Sequence, residues 1–360
     1  MKKNNRILII ANSARMLAQA ARNSGYIPFV IDCYGDVDTQ NLAEHACQVE
    51  SLSIENLHAA IDFFKQQNIT KLIYGSGFEA YPDSLFFLAK HFEIMGNSPE
   101  TFVALHNKMD FFQQLSYLKI SFPEVQFSSP NTLEDWLIKP NQSQGGLNIH
   151  FLNKTNLNNH GNVYYQRYIH GKSLSVLFLA NGKVANIIGF NTQFFTPFKN
   201  QPFVFSGIMN YAELPLKKRL IKWIQQLTQL YSLRGLNSLD FIFANHCCYL
   251  LEINPRPPAS MQLYEADLIH AHIQACAGKW TKRILKSDKT RLYHILYAEQ
   301  ETRIPENMHW TNVCVDIPQN GTTISAGQPI CSMIVEPENA DLLWAEVAIH
   351  TKIILQQLSN

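Results

Sequence analysis

Residues 235–258 constrain this chain more than any other stretch. Gly235-Leu236-Asn237-Ser238-Leu239-Asp240-Phe241-Ile242-Phe243 and Tyr249-Leu250-Leu251-Glu252-Ile253-Asn254 are two apolar-rich runs. Ala244-Asn245-His246 between them is polar enough to turn, so the stretch predicts a β-hairpin. Asp240 falls in the first strand, and Glu252 and Asn254 lie two apart in the second, on one face. Two acids and an amide oxygen on one sheet face make an all-oxygen site of the kind Mg2+ takes, completed by waters and phosphates. Pro255-Arg256-Pro257-Pro258 then ends the strand and stiffens the segment presenting Arg256, a cation suited to phosphate or carboxylate oxygens. A lone acid pair of this type is most often a solvated hairpin. The extension through Asn254-Pro255-Arg256-Pro257 argues against that reading here.

At 360 residues the chain predicts two or three domains. Hydrophobic content of 46% marks a core-forming chain, and a net charge of +1 gives no nucleic-acid or anionic-membrane partner. The apolar run at 7–11 is too short for a signal peptide, and no stretch nears the ~20 apolar residues of a membrane span. A soluble cytoplasmic protein is the expectation. The seven cysteines are odd in number and lack CxxC spacing, which fits reduced thiols. His246-Cys247-Cys248 reads as a turn and strand start, and His270 and His272 receive no role.

Taken in order, residues 6–11, 14–24 and 26–32 read as strand, helix and strand, a βαβ unit with a parallel sheet. A helix at 55–67 and a strand at 71–74 follow, in a small α/β domain ending near residue 105. No GxGxxG follows the first strand. Gly75-Ser76-Gly77-Phe78-Glu79 lies at the carboxyl end of a parallel strand, where open α/β sheets place ligands. Two readings stand for it: Gly77 and Glu79 receive a substrate's ammonium group, or the segment is a plain strand-to-helix turn.

Ser98 and Pro99 predict a capped helix start, and Asn107-Lys108 opens the next helix. Residues 136–140 form a strand with Lys139 at its end, followed by a polar loop with Gly145 and Gly146 that can fold over phosphates. Residues 164–176 read as strand, His170-Gly171 turn and strand, and 175–189 as a hairpin around Asn181-Gly182. The aromatic stretch 190–208 is either a pocket wall or an irregular packed loop. Residues 216–233 are an amphipathic helix with Leu216, Leu220, Trp223, Ile224, Leu227, Leu230 and Tyr231 in its core stripe. A helix is expected over 261–276. From 293 onward, runs at 294–298, 313–317 and 331–335 suggest a small β-rich appendage.

These segments together resemble the ATP-grasp superfamily of carboxylate–amine ligases. They are closest to its predicted ATP-dependent carboligases, some of them linked to methanofuran- and methanopterin-type cofactor biosynthesis. The shared pieces are Tyr-Gly-Ser-Gly-Phe-Glu, Met-Gly-Asn-Ser-Pro-Glu, Leu-Asn-Ser-Leu-Asp-Phe, Leu-Glu-Ile-Asn-Pro-Arg-Pro and Asp-Ile-Pro…Gly…Pro-Ile-Cys-Ser. The resemblance implies an α/β (α+β) chain with an ATP-grasp fold. Its parts would be a Rossmann-like pre-ATP-grasp domain at 1–105, a nucleotide-binding region at 106–280 (106–170 and 171–280), and a β-rich piece at 281–360.

It also implies an ATP-dependent ligase that makes an acyl phosphate and joins it to an amine, with glutamate ligation in building a one-carbon carrier cofactor as the candidate reaction. Biotin-carboxylase-like chemistry and a catalytically silent ATP-binding regulator are the alternatives. Asp240, Glu252 and Asn254 would hold Mg2+, or Mn2+ in its place. Lys108 and Lys139 would contact ATP phosphates under the Gly145-Gly146 loop. Gln166, Tyr168 and Ile169 would line the adenine and Ser173 the ribose. Arg256 and Lys139 would act on the reacting phosphoryl group, and Gly77 and Glu79 on the substrate. Small-molecule carboxylate and amine partners follow, with a homodimer as an option. The chain departs from the pattern at Gln166-Arg167, at Ser173 and at Ser238, where members carry acids, an acid and an arginine; Arg234 or Arg256 would replace the last.

Overall fold

The computed structural model describes residues 5–154, 161–212, 214–264, 267–280 and 289–359. Its first unit is a parallel sheet of β1 (Arg6–Ile10), β2 (Ile27–Asp32), β3 (His45–Gln48), β4 (Lys71–Tyr74) and β5 (Glu93–Ile94), in the order β3-β2-β1-β4-β5. Ile7 to Ile10 are all fully buried, which a strand covered on both faces requires. Alternate residues serve opposite layers. Ile7 and Ile9 pack with Leu17, Ala18 and Ala21 of α1 (Arg15–Asn23). Leu8 and Ile10 pack with Leu57, Ile61 and Phe64 of α3 (Ile54–Lys65), which follows the short α2 (Val37–Leu42). After α4 (Pro82–Ala89), Ser98 caps α5 (Pro99–His106) by accepting from Thr101 N. Asn107 both ends α5 and caps α6 (Lys108–Tyr117), accepting from Asp110 N, so Lys108 is the first helical residue.

A four-stranded sheet follows, ordered β6-β9-β7-β8, from β6 (Val125–Gln126), β7 (Trp136–Pro140), β8 (His150–Phe151) and β9 (Val163–Arg167). The largest sheet contains β10 (Lys172–Asn181), β11 (Ala185–Phe198), β12 (Gln201–Met209), β13 (Arg234–Ala244) and β14 (Cys247–Asn254). In β10, Leu174, Val176, Phe178 and Ala180 pack under Leu220, Trp223, Ile224 and Leu227 of α7 (Lys217–Tyr231). Leu177 and Leu179 point the other way, to Ile269, Ala271 and Ile273 of α8 (Leu268–Cys276) and to Ile7 and Ile9. One core therefore spans the first unit and the large sheet.

Four expectations change. Residues 190–208 are not an irregular loop: they complete β11 and make up most of β12, with register breaks at Phe194/Phe195 and Thr196/Phe198. Those bulges interrupt the period-two pattern and hide the strands. The helix expected over 261–276 is a 3-10 turn at Ala259–Leu263 and then α8, started by the Asp267 cap. Leu230 is exposed rather than in the α7 core. The last segment, expected as a β-rich appendage, joins the large sheet. Its β15 (Leu292–Tyr297), β17 (Cys314–Val315) and β19 (Pro329–Val335) extend the large sheet through β12–β15 pairing. A minor pair, β16 (Thr302–Arg303) with β18 (Thr323–Ile324), sits beside them, and the chain ends in α9 (Leu343–Leu358). Exposed Trp344, Ile349, Ile353 and Leu355 blur the amphipathic signal of α9.

His272, which the sequence left without a role, is a structural bolt. It is fully buried; its Nδ1 accepts from Leu236 N at 2.8 Å, and Nε2 donates to Met95 O at 2.8 Å. Burial pushes its pKa down to about 4. Between that value and the ~6.5 of a free histidine, the unfolded chain binds a proton that the folded chain refuses, so stability falls as pH falls. From pH 7 to pH 5 this amounts to roughly 2 kcal/mol. Urea unfolding at the two pH values should show that loss in the parent, with His272→Gln lacking this component. Equal losses in the two proteins would refute it.

Candidate functional site

The hairpin forms with its turn at Asn245-His246, both at positive φ, the geometry of tight two-residue connections. Asp240 pairs with Glu252 and Ser238 with Asn254; the register breaks between Asp240 and Phe241, leaving Leu251 as the extra residue. That bulge brings Glu252 opposite Asp240 on the face Asn254 also uses. Asn254 Nδ2 donates to Asp240 Oδ2 at 3.1 Å, while Asp240 Oδ1 is buried with no hydrogen-bond partner. Among the described residues no group of three or more His, Cys, Asp or Glu forms a metal cluster. Two carboxylates and an amide oxygen, one acid oxygen unpartnered, still suit a hard cation that takes its remaining ligands from water and phosphate.

Three cations surround this pair. Lys108, at the start of α6, is 7% exposed and reaches Glu252 at 3.4 Å, whose side chain is 36% exposed and opens the cluster to solvent. Lys139, 8% exposed, makes one hydrogen bond among the described residues, to Gln166 Oε1 at 3.1 Å. Gln166 Nε2 is buried without a partner. Arg256 Nε donates to Glu79 Oε1 at 2.7 Å, and Gly77 N to Glu79 Oε2 at 2.8 Å.

The charges answer one another. Burial first, then repulsion from Glu252, pushes Asp240 up to about 7. Burial opposes ionisation of Glu252 too, but Lys108 and Lys139 outweigh it and hold the carboxyl below its usual range. Burial lowers the Lys139 pKa against the pull of Glu252 and Asp240. A further positive charge near the acids, and an anion near the lysines, would relieve both strains.

The glycine loop and the following segment meet at a residue the sequence did not single out. Gly145 O accepts from Phe205 N at 2.9 Å, and a Cβ on Gly146 (φ +74°) would lie 1.7 Å from the Phe203 carbonyl oxygen. Tyr168 packs on Phe203 at 5.8 Å between ring centres, and Ile169 beside it is half-buried. Ser173 Oγ donates to Gln193 Oε1 at 2.9 Å, and Gln193 in turn favours ionised Asp240. Gln193 and Phe203 lie in β11 and β12; two polar residues two apart, Asn191 and Gln193, were the available signal. Arg234 is not in the cluster, because its guanidinium donates to Cys276 O at 2.7 Å. Arg167 turns outward over Trp136, 5.0 Å from the ring centre. Arg256 is thus the arginine at the end of the hairpin.

Residues 105–260 match the ATP-grasp domain family. They are an ATP-grasp domain. Over the whole chain the fold is similar to that of solved biotin carboxylases and an N5-carboxyaminoimidazole synthetase. Biotin carboxylase of Campylobacter jejuni, solved with β,γ-ATP, aligns at a TM-score of 0.73 and 14% identity, covering 96% of this chain and 90% of that one. N5-carboxyaminoimidazole synthetase of Staphylococcus aureus with ADP aligns at 0.70 and 16%, covering 96% of each. The biotin carboxylase domain dimer of Hydrogenobacter thermophilus 2-oxoglutarate carboxylase, solved with MgADP and bicarbonate, aligns at 0.74 and 12%, covering 96% and 89%. An uncharacterised protein of Methanocaldococcus jannaschii is 24% identical over 260 residues. That alignment takes in 68% of this chain and spans 64% of the relative's length. Among the described residues no helix is long and apolar enough to cross a membrane.

Proposed function

We propose that this chain is an ATP-dependent carboxylate–amine ligase, releasing ADP and phosphate. The supporting observation is the face-to-face pair Asp240–Glu252, with Asn254 beside it and Lys108 and Lys139 around it. Mg2+, or Mn2+, bound at Asp240, Glu252 and Asn254 would supply charge neutralisation at ATP phosphate oxygens. Lys108 and Lys139 hold the phosphates, and the Gly145-Gly146 loop keeps water away. Tyr168, Ile169 and Gln166 face the base, and Ser173 the sugar. A substrate carboxylate oxygen attacks the γ-phosphorus as the bond to the β-phosphate oxygen breaks. The amine nitrogen then attacks the acyl carbon, phosphate leaves, and nitrogen loses a proton. Arg256 balances the charge that develops on the transferring group.

Glutamate as one substrate and a one-carbon carrier cofactor as the pathway rest on the family resemblance alone. Bicarbonate activation is the second reading, favoured by the fold shared with biotin carboxylases. A small-molecule role in the cytoplasm and a homodimer belong to the same proposal. The test is MgATP-dependent phosphate release with a panel of amino acids and amines, glutamate with tyramine included, and a bicarbonate control. Release that requires one carboxylate–amine pair, with a condensed product by mass, is the expected result. Release with bicarbonate alone would favour the second reading; tight ATP binding without release under any pairing would favour a silent regulator.

A further inference from the structure

One buried ion pair joins positions 177 residues apart and ties the hairpin to the first sheet. Arg256 and Glu79 are 12% and 3% exposed at their side chains, with Nε on Oε1 at 2.7 Å. Gly77 N occupies the other carboxylate oxygen. Both oxygens of Glu79 are thus engaged within the protein, so a substrate ammonium would have to share one of them. The residue before Arg256 is held from the same side: Pro255 O accepts from Tyr74 Oη at 2.9 Å and from Asn97 Nδ2 at 2.9 Å. Three side chains of the N-terminal unit therefore converge on two residues just beyond the proposed metal ligands.

The consequence lies in the donors left over. A guanidinium has five N–H donors in a fixed fork. Glu79 takes Nε; the two terminal amino groups make no hydrogen bond among the described residues. Arg256 also acts electrostatically on Asp240. Released from Glu79, the fork would lose its fixed direction. We propose that Glu79 is a positioning residue: it grips Arg256 by Nε and leaves both terminal amino groups to an anionic oxygen of the reacting group. What Arg256 acts upon rests on the ligase reading above; how it is held does not.

The test compares the parent, Glu79→Ala, Glu79→Gln, Arg256→Ala and the Glu79→Ala/Arg256→Ala double variant. Phosphate release and MgATP affinity by calorimetry are the readouts. Positioning predicts that kcat falls about 100-fold in Glu79→Ala and in Arg256→Ala, and no further in the double variant. KM for the amine should stay within about threefold and MgATP affinity within about twofold, since only one transition-state contact is lost. Glu79→Gln keeps an acceptor oxygen and should lose about tenfold; where Glu79→Ala fails to fold, this variant carries the comparison. A raised KM for the amine at unchanged kcat would overturn the proposal in favour of an ammonium site, and so would multiplicative losses in the double variant. If the parent releases no phosphate with any pair, the ligase reading fails by itself. Inorganic phosphate binding to the MgADP-loaded protein then decides: equal weakening by Glu79→Ala and Arg256→Ala supports positioning, and unequal weakening overturns it.

Discussion

Glu252→Gln should lower ATP-dependent turnover by about 1000-fold and leave the chain folded. Glu252 serves three neighbours at once. It opposes Asp240 across the hairpin, pairs with Lys108 at 3.4 Å, and attracts Lys139. An amide keeps the shape but removes the negative charge, so a divalent ion held by Asp240, Glu252 and Asn254 would lose one of its two carboxylates. Losses of 100- to 1000-fold follow removal of one preorganised electrostatic group, and a metal ligand belongs at the upper end. Stability should move little, because two changes oppose each other: Lys108 loses its partner, and Asp240 loses a repelling charge. Phosphate release at saturating ATP and a thermal melt read both quantities. Turnover near the parent's level would show that the hairpin does not hold the metal.

The second large effect is on binding. Lys139→Ala should weaken MgATP about 100-fold, or roughly 2.7 kcal/mol. The ammonium is buried with one hydrogen bond, to Gln166, and no carboxylate within ion-pair distance among the described residues. Its three donors are therefore under-used, and burial already lowers its pKa. A phosphate oxygen supplies the missing anion, and charge-assisted hydrogen bonds of this type contribute about 1.5–3 kcal/mol. Without ligand two effects oppose: losing the buried charge relieves its desolvation, while Glu252 loses an attracting cation and Gln166 Oε1 its donor, so the melt should move little. Calorimetric titration and a ligand-free melt check both; MgATP binding as tight as the parent's would remove Lys139 from the proposed phosphate site.

Much of the site was legible because its parts are local. The hairpin announces itself through a turn at Asn245-His246 and acids at fixed spacing, and Lys108 through the Asn107 cap that precedes it. Strand β7, with Lys139 near its end, lies where the apolar run 136–140 ends in Lys-Pro. Less visible were features that depend on distant partners. Nothing near Glu79 points to Arg256, 177 residues on, and nothing near Ser173 points to Gln193. β11 and β12 were hidden by bulges and by aromatic residues on both faces. The last strands read as an appendage because strand pairing across 87 residues, as between Gly207 and His294, leaves no local mark. His272 looked idle because a buried, doubly bonded ring is recognised by its partners Leu236 and Met95, not by its neighbours in sequence.

In the proposed reaction ATP is consumed in activating a carboxylate. The most direct measurement uses a carboxylate substrate labelled with 18O at both oxygens, turned over with MgATP and the matching amine. Attack by the carboxylate on the γ-phosphorus carries one labelled oxygen into inorganic phosphate, so mass spectrometry should find one 18O per phosphate released. Unlabelled phosphate, with both labelled oxygens kept by the carboxylate, would mean that water or the amine takes the phosphoryl group, and the acyl phosphate route would be wrong.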